Sequence, residues 1–404
     1  MPNSYINAPE GFTAAGDHIG LKKQKKDLTL ILSEVPAAAA GCFTQNAVKA
    51  APVLYDMPII ASGKKVRGIV INSGNANACT GEQGLRDVRA AAGAFAGLAG
   101  CAADEILVCS TGVIGVNLPM DVLLPGIGLV FDKLGGDEQS GEDAVQGIMT
   151  TDTFEKTAYE EITLGGARVK LAGMAKGSGM IHPDMATLLA FITTDAAISP
   201  EMLQKALTAS IADTYNMISV DRDTSTNDTV LALANGMAGN SPIGAEDGDY
   251  SIFLAALSRI NRKLAIDIAR DGEGAGKLME VNVRGARTEA DARILARSVT
   301  ASNLFKAALF GADANWGRVL CAMGYSGACF NAERVDVAFR SAAGAVAVSK
   351  DSTPVAFEEA AAKAILSEKE IFVDIALHDG DYSATAWGCD LTYDYVKING
   401  DYRS

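Results

Sequence analysis

The segment Lys176-Gly-Ser-Gly-Met-Ile-His-Pro-Asp-Met-Ala186-Thr187-Leu-Leu-Ala-Phe-Ile192 joins a loop punctuated by glycine and proline to an apolar run. The loop residues favour turns, and the run that begins at Thr187 is typical of a buried strand. A bond held at such a junction can be strained, and strain assists an N→O acyl shift. The segment therefore predicts a strand that is preceded by a bond suited to self-scission.

Scission before Thr187 would change the chemistry of this residue. Inside a chain, a threonine hydroxyl keeps its proton near neutral pH and is a poor nucleophile. Cleavage of the Ala186–Thr187 bond would add an α-amine with a pKa of about 7.7–8.0, which can act as the threonine's own general base. The competing interpretation is that Thr187 only starts a strand, which a β-branched residue does well.

Composition and charge exclude several classes of protein. The 404 residues are 49% apolar, enough for one large unit or for two or three domains. A net charge of −14 argues against a nucleic-acid partner, because binding requires many phosphates to be neutralised. The basic run Lys22-Lys-Gln-Lys-Lys26 is interpreted as a solvated loop. We expect neither a signal peptide nor a membrane span.

Cysteine and histidine spacing argues against metal and disulfide chemistry. Seven cysteines without a Cys-x-x-Cys pair indicate reduced thiols and a cytoplasmic protein. We expect no metal site, because the acidic residues Asp221, Asp223 and Asp228 lack the glycine and glutamate of a calcium loop. His182 lies five residues before Thr187 and is expected to position its loop.

Strand-like and helical stretches alternate along the chain, which predicts an α/β layered architecture. The expected strands are Val66–Ile71, Glu105–Cys109, Tyr159–Leu164, Ala167–Ala172, Thr187–Ile192, Thr229–Ala234, Leu278–Val283, Val335–Ala338 and Ile371–Leu377. The expected helices are Gly84–Gly97, Asp121–Leu134, Glu142–Met149, one capped by Ser199, and Tyr250–Arg270. Pro125 should begin or break its helix, and Gly165-Gly166 predicts a hairpin.

Two polar stretches are candidate sites by residue type. Ser110-Thr-Gly112 follows an expected strand, where the Thr111 hydroxyl and the Gly112 N–H would suit an oxyanion hole; a simple turn fits equally well. The glycine loop Asp271–Lys277 lacks the phosphate-loop pattern and presents Glu273, which would bind an amine or face water. Two further polar loops, Asn72–Gly81 and Asp221–Asp228, fit either turn chemistry or site lining.

These motifs together resemble one known family. The specific pieces are Ser110-Thr-Gly-Val-Ile-Gly115, Met149-Thr-Thr-Asp-Thr153, Lys176–Thr187, Arg222-Asp-Thr-Ser-Thr-Asn-Asp228, Arg270-Asp-Gly-Glu-Gly-Ala275 and Gly311-Ala-Asp-Ala-Asn-Trp-Gly-Arg318. The chain resembles the ornithine acetyltransferases of arginine biosynthesis, also called glutamate N-acetyltransferases, from Gly11 to its C-terminus. The resemblance implies a layered mixed-sheet sandwich of the self-cleaving type.

The resemblance also implies an activity and a set of site residues. It implies cleavage into chains 1–186 and 187–404, which assemble as α2β2, and acetyl transfer from N2-acetylornithine to glutamate through acetyl-Thr187. Thr111 and Gly112 would form the oxyanion hole. The implied substrate-binding residues are Thr150, Lys176, Thr187, Glu273, Asn399 and Ser404. No cofactor is implied, and the use of acetyl-CoA as a second acetyl donor is left open.

Three residues depart from the family pattern, and two rival functions remain. Ser404 replaces a terminal threonine, Asp184 replaces an asparagine and Gly276 replaces a threonine. The first rival is a self-cleaving amidase or aminopeptidase that uses water as acceptor. The second is an uncleaved binding protein without catalysis, which an intact Thr111, Gly112 and Thr187 set argues against.

Overall fold

The computed structural model describes residues 3–182 and 188–400. Within them the strands are β1 (Phe12–Asp17), β2 (Leu28–Phe43), β3 (Val66–Asn75), β4 (Ile106–Val113), β5 (Lys156–Leu164), β6 (Ala167–Lys176), β7 (Leu189–Thr194), β8 (Ile218–Ser219), β9 (Thr229–Ala234), β10 (Leu278–Ala286), β11 (Asp336–Ser341), β12 (Gly344–Lys350), β13 (Thr353–Pro354), β14 (Glu370–Ala376) and β15 (Tyr382–Cys389). The helices are α1 (Ala51–Ala61), α2 (Gly81–Ala99), α3 (Met120–Phe131), α4 (Glu138–Ile148), α5 (Pro200–Ala212), α6 (Gly248–Arg270), α7 (Glu289–Thr300), α8 (Asn303–Phe310), α9 (Trp316–Gly324), α10 (Glu359–Leu366) and α11 (Tyr393–Gly400).

The described residues form two compact units. Among these residues, the first unit comprises 3–177, 188–215 and 224–264, and the second comprises 178–182, 216–223 and 265–400. The division does not fall at residue 186, since β7, α5 and β9 belong to the same unit as β1–β6. The predicted cleavage products 1–186 and 187–404 therefore do not correspond to the compact units.

The first unit is built on a mixed sheet, which confirms the predicted α/β class with mixed sheets. Its strand order is β4-β3-β2-β9-β7-β6-β5, and β1 pairs with β2. The pairs β3/β4 and β7/β9 are parallel, whereas β2 is antiparallel to both β3 and β9. The sheet therefore places the ends of β3 and β4 side by side at one edge.

Strand β2 serves two parts of this sheet and bends between them. Leu28–Leu32 pair with β3 and Ala38–Phe43 pair with β9. The register slips between Leu32 and Ala37, and Pro36 lies in the slipped stretch. A proline has no N–H for a ladder and is tolerated only at edges and bulges. The bulge therefore marks the point at which β2 leaves one set of strands and joins the other.

Strands β3 and β4 are buried on both faces. Val70, Ile106 and Val108 pack in one core with α2 and α3, while Leu107 and Cys109 belong to a second core with α1 and α4. Successive side chains of a strand point to opposite faces, so continuous apolar runs are required here. Because both faces of β4 are packed, the strand has one fixed orientation, and this orientation sets the position of its polar C-terminal residues.

Several local predictions are confirmed. Leu164 pairs with Ala167 across the β5–β6 hairpin, and Gly165 and Gly166 both have positive φ (54° and 89°), as a two-residue turn requires. Ser199 caps α5 by accepting a hydrogen bond from Met202 N at 3.2 Å. The long helix predicted over Tyr250–Arg270 is α6.

Other predicted boundaries were wrong. Ser110, Thr111 and Gly112 belong to β4, and β3 continues to Asn75. Loops were expected at both places, but the two strands continue to pair there. Pro125 lies inside α3 and does not break it. Helix α11 at the C-terminal end was not predicted.

The second unit also contains a mixed sheet, in the order β13-β12-β11-β14-β10-β15-β8. Strand β10 is parallel to β14 and antiparallel to β15. Helix α7 packs on β10 and β15, and α10 packs on β11 and β12. No helix in residues 3–182 and 188–400 is long and apolar enough to cross a membrane.

Candidate active site

Thr111 and Gly112 lie near the C-terminal end of β4, beside β3, with Thr111 aligned to Ser73 and Gly112 to Gly74. Gly112 has φ +136°, and a Cβ there would lie 2.2 Å from the carbonyl carbon of Gly74. The register shifts between Gly74 and Asn75, so the pair ends in a bulge of the kind found beside active sites. Only glycine fits at position 112, because the backbone of Gly74 leaves no room for a Cβ.

Buried amides brace the end of β4. Asn227 Nδ2 donates to the carbonyls of Ala76 (2.6 Å) and Ser110 (2.8 Å). Ser110 Oγ donates to Asn72 Oδ1 at 2.6 Å. For the polar stretches 72–81 and 221–228, the sequence allowed either turn chemistry or site lining. Both stretches supply side chains that hold the backbone just before Thr111.

Lys176 ends β6, is only 8% exposed, and reaches the end of β4. Its Nζ donates to Thr111 Oγ1 at 3.2 Å. Because this hydroxyl accepts from the ammonium, its own hydrogen remains available to donate in another direction. The structure thus brings together two predicted site residues, and the pair can present both a hydroxyl and a positive charge to a developing oxyanion.

Thr150 is tied to the same strand end through Asp152. Asp152 Oδ2 accepts from Thr150 N (2.8 Å), and its Oδ1 accepts from Gly177 N (2.8 Å) and Lys156 Nζ (2.8 Å). Thr150 and Lys176 were predicted from separate motifs. The Asp152 carboxylate connects the backbone N–H of Thr150 with that of Gly177, the residue after Lys176.

Lys22 was interpreted as part of a solvated loop, and this was wrong. Its Nζ donates to the carbonyls of Lys26 (2.7 Å) and Met149 (2.6 Å). Burial, together with the nearby Lys176 charge, lowers the pKa of Lys22 to about 8, although Asp27 opposes the shift. The loop closes over the buried Asp27 carboxylate, which accepts from the backbone N–H of Ile19 (2.7 Å) and Lys22 (2.8 Å). The acidic residue Asp27, five residues after Lys22, was the feature of the sequence that could have indicated this burial.

In the second unit, Glu273 and Asn399 meet. Asn399 Nδ2 donates to Glu273 Oε2 at 2.8 Å, and the Glu273 residue is 7% exposed. Glu273 N donates to Ser178 O at 2.9 Å. A Cβ on Gly179 would lie 2.3 Å from Glu273 Oε2, so the glycine leaves room for the carboxylate. The two predicted substrate-binding residues are therefore in contact, and Glu273 packs against Ser178 and Gly179, which precede the expected scission point in the sequence.

The residues Ser178–His182 belong to the second unit and are held there by Asp221. The Asp221 carboxylate accepts from the N–H groups of Met180 (2.6 Å) and Ile181 (2.8 Å). Met180 has φ +57°, which costs a non-glycine residue roughly 1–2 kcal/mol. A strained conformation is thus held by two hydrogen bonds to one carboxylate.

His182 has the loop-positioning contacts that the sequence suggested. Its Nδ1 lies 3.0 Å from Ser219 Oγ, and Arg297 Nη2 lies 3.4 Å from its Nε2. A guanidinium only donates, so Nε2 accepts and Nδ1 carries the hydrogen given to Ser219. The ring bridges Ser219 and Arg297, and this geometry favours a structural role.

Three predicted residues, Ala186, Thr187 and Ser404, lie outside the described residues, as does the Asp184 departure. The structure resumes at Leu188, whose carbonyl accepts from Thr229 N at 2.9 Å. Leu189 pairs with Lys176 of β6 and with Thr229 of β9. Within the described part of the chain, no cluster of three or more His, Cys, Asp or Glu side chains is placed to hold a metal.

The site's parts are those of an acyl-transfer enzyme: a strand end that contains Gly112, the Thr111 hydroxyl and the buried Lys176 ammonium beside it. Comparison with known proteins gives the family, since the ArgJ family model matches residues 13–404. The chain therefore belongs to the ArgJ family. It is 51% identical to the arginine biosynthesis bifunctional protein ArgJ of Caldanaerobacter subterraneus, over 99% of this chain and 98% of that protein.

Two further matches agree. The Symbiobacterium thermophilum protein of the same name is 52% identical, over 99% of this chain and 98% of that protein. The crystal structure of arginine biosynthesis bifunctional protein ArgJ from Bacillus halodurans is 46% identical with a TM-score of 0.51, and it covers 53% of this chain and 99% of that chain.

Proposed function

We propose that this chain is a self-cleaving acetyltransferase of arginine biosynthesis that moves the acetyl group of N2-acetylornithine to glutamate through an ester on Thr187. The name shared by its relatives, arginine biosynthesis bifunctional protein, supports the pathway and a second activity. We assign that second activity to acetylation of glutamate from acetyl-CoA, which acts as a substrate. No cofactor takes part in either reaction.

One observation carries the proposal: Lys176 contacts the Thr111 hydroxyl and also pairs with Leu189. Thr187 is two residues before Leu189 in the sequence. Two residues span at most about 7 Å, so the chain itself tethers the expected nucleophile to the lysine and hydroxyl donors. The sequence alone did not show that Thr111, Lys176 and Thr187 are constrained to lie near one another.

The first half-reaction starts with attack of Thr187 Oγ on the acetyl carbonyl of acetylornithine. The α-amine of Thr187 takes the hydroxyl proton, and the oxyanion forms beside Thr111 and Gly112. Collapse breaks the C–N bond, and the α-amine returns the proton to the leaving nitrogen, so that ornithine departs. In the second half-reaction, the amine of glutamate attacks the ester and Thr187 Oγ recovers its proton.

Substrate recognition follows from charge. The Lys176 ammonium pairs with the α-carboxylate that both amino acids carry. Glu273 pairs with the side-chain ammonium of ornithine, and the Asn399 amide, which donates to Glu273 Oε2 and to Tyr395 O, orients this carboxylate. Thr150, Ser404 and Thr187 itself complete the proposed binding set.

We further propose that the products of scission, 1–186 and 187–404, stay together as α2β2 in the cytoplasm. The seven cysteines are all free thiols, which suits a reducing compartment. Light-scattering mass determination of the purified protein tests the assembly directly.

Intact-mass spectrometry of the wild-type protein and of Thr187→Ala tests the scission. We expect two fragments that divide before Thr187 in the wild type and one full-length chain in the variant. Incubation with acetylornithine alone should add one acetyl group to the fragment that begins at Thr187, and adding glutamate should remove it. An uncleaved wild type that transfers acetyl at full speed would refute the proposal.

The water-accepting amidase makes a different prediction. It would release free acetate from acetylornithine at an undiminished rate without glutamate. Ping-pong initial-rate kinetics with acetylglutamate as the product would exclude it.

A further inference from the structure

Asp152 organises the acyl-transfer site without belonging to the predicted set. It is 3% exposed, and its two oxygens accept from Thr150 N, Gly177 N and Lys156 Nζ, each at 2.8 Å. Two of these donors are backbone groups in or next to the residues expected to bind substrate. The third is a fully buried lysine.

The charge state of Asp152 is set by its neighbours. Burial alone would raise the pKa of this carboxyl, but the charges of Lys156 and Lys176 and the hydrogen bonds from Lys156 and Gly177 outweigh it and lower the pKa. Asp152 is therefore an anion at neutral pH. Its charge attracts the Lys176 ammonium, which in turn contacts Thr111.

The turn at residues 149–152 is held from its other end by a cation. Lys22 Nζ donates to Met149 O at 2.6 Å. Ser73 Oγ, on the strand beside Thr111, donates to Gly147 O at 2.6 Å. The turn is thus fixed on both sides, and Asp152 is the member that joins it to the end of β6.

We propose that Asp152 is a positioning residue for acyl transfer, which holds the Thr150 turn and the Lys176–Gly177 strand end in one geometry through a single carboxylate. This inference rests on the proposed function. It assigns Asp152 a task beyond neutralising Lys156, because Thr150 N and Gly177 N need two acceptor oxygens at fixed positions.

The alternative is that Asp152 serves only the buried lysine. Lys156 has other partners, since its Nζ lies 3.5 Å from Phe154 O and 4.9 Å from the centre of the Phe154 ring. Asparagine at 152 offers one acceptor oxygen and one donating amide, so it cannot accept from both Thr150 N and Gly177 N. The two roles therefore separate when the charge of Lys156 is also removed.

The experiment compares wild type, Asp152→Asn, Lys156→Gln and the double variant Asp152→Asn/Lys156→Gln. Each is assayed for thermal unfolding, for scission by intact mass, and for kcat and KM of acetyl transfer. Removing one partner of a buried pair is destabilising, and the neutral double variant should recover part of the lost unfolding temperature, because no buried charge is left unpaired although one backbone N–H has lost its acceptor. We expect it to remain about 10²-fold below wild type in kcat/KM, the loss that a misplacement near 1 Å produces.

Lys156→Gln should keep more activity than Asp152→Asn, because the two backbone hydrogen bonds survive. A double variant that regains both stability and kcat/KM overturns the proposal, as does failure of both Asp152 variants to fold, which would make the residue structural. If the wild type shows neither scission nor transfer, the proposed function fails instead.

Discussion

The Lys176 ammonium donates to the Thr111 hydroxyl at 3.2 Å across 65 residues of chain. In the sheet order, β4 and β6 are separated by β3, β2, β9 and β7. They meet because β2 bends at its Pro36 bulge and pairs with β3 through one half and with β9 through the other. This contact depends on a bend in a strand that contributes neither residue.

Replacing Lys176 by methionine should cost about 10- to 150-fold in kcat/KM for acetyl transfer. A hydrogen bond from a charged group is worth about 1.5–3 kcal/mol, and each 1.36 kcal/mol is tenfold. Steady-state kinetics with acetylornithine and glutamate measure the loss. Lys170→Met on the same strand is the matched control and should stay within about twofold, because single surface changes rarely exceed 0.5 kcal/mol. Equal losses in both variants would contradict the assignment.

Gly112→Ala should lower kcat for transfer by about 10²- to 10³-fold while the second unit stays folded. The added Cβ would lie 2.2 Å from the Gly74 backbone at φ +136°, so the strand end must move and take the oxyanion donor with it. Losing one such donor costs about 2.7–4 kcal/mol of barrier. Gly97→Ala in α2 is the control, since nothing lies within 4 Å of its Cβ and alanine favours a helix. Wild-type kinetics for Gly112→Ala would remove it from the site.

Glu273→Gln should weaken the use of acetylornithine more than the use of glutamate, because only ornithine carries a side-chain ammonium. Separate measurement of the two half-reactions gives both kcat/KM values. The exposed Glu368→Gln serves as control. Gly179→Ala should have a similar effect, because its Cβ would lie 2.3 Å from Glu273 Oε2 and would displace the carboxylate. A loss of the same size for both substrates would show that Glu273 does not read the ammonium.

Gly276→Thr should stabilise the second unit by about 1 kcal/mol relative to Gly276→Ala. Asp390 Oδ2 is buried and has no hydrogen-bond partner among the described residues, while its Oδ1 accepts from Gly276 N at 2.8 Å. A Cβ at 276 would lie 3.2 Å from Oδ2, so a threonine hydroxyl can turn towards it. Thermal unfolding of the two variants decides the matter, and an alanine variant at least as stable as threonine would rule out the bond.

The stability of the wild type relative to Lys22→Met should rise as pH increases from about 8 towards 10.5. Burial lowers the pKa of Lys22 from 10.5 to about 8 in the folded protein. Between these values the unfolded chain binds a proton that the folded chain does not, so stability increases with pH. Unfolding temperatures of both proteins across this range provide the test, and a difference that is constant with pH would mean that Lys22 titrates normally.

Part of the fold was predictable because its signals are local. The Gly165-Gly166 turn, the Ser199 cap and the apolar stripe of α6 each act within a few residues, and the structure has all three. The ends of β3 and β4 were misplaced because glycine and polar residues suggested loops. Pairing between the two strands, which no local pattern encodes, extends both through Gly74 and Gly112.

The candidate site divides in the same way. Residue types pointed to Thr111 and Glu273, whereas Thr150, Lys176 and Asn399 were expected only from the resemblance to the family. Both missed Asp152 and Lys22. Asp152 works through backbone N–H groups at positions 150 and 177, and Lys22 through the carbonyl of Met149. Nearly every residue type has a backbone N–H and a carbonyl, so such contacts cannot be predicted from the residue type of the partner.

The sequence by itself determined the family, the α/β class and the residue types of the site, since these depend on local periodicity and on motifs that need no coordinates. Only the tertiary structure decided that Lys176 reaches Thr111, that Asn399 donates to Glu273, and that one carboxylate at Asp152 serves two segments. These contacts join residues far apart in the chain. Strand pairing and a bent strand bring them together, and burial then forces each polar group to find a partner.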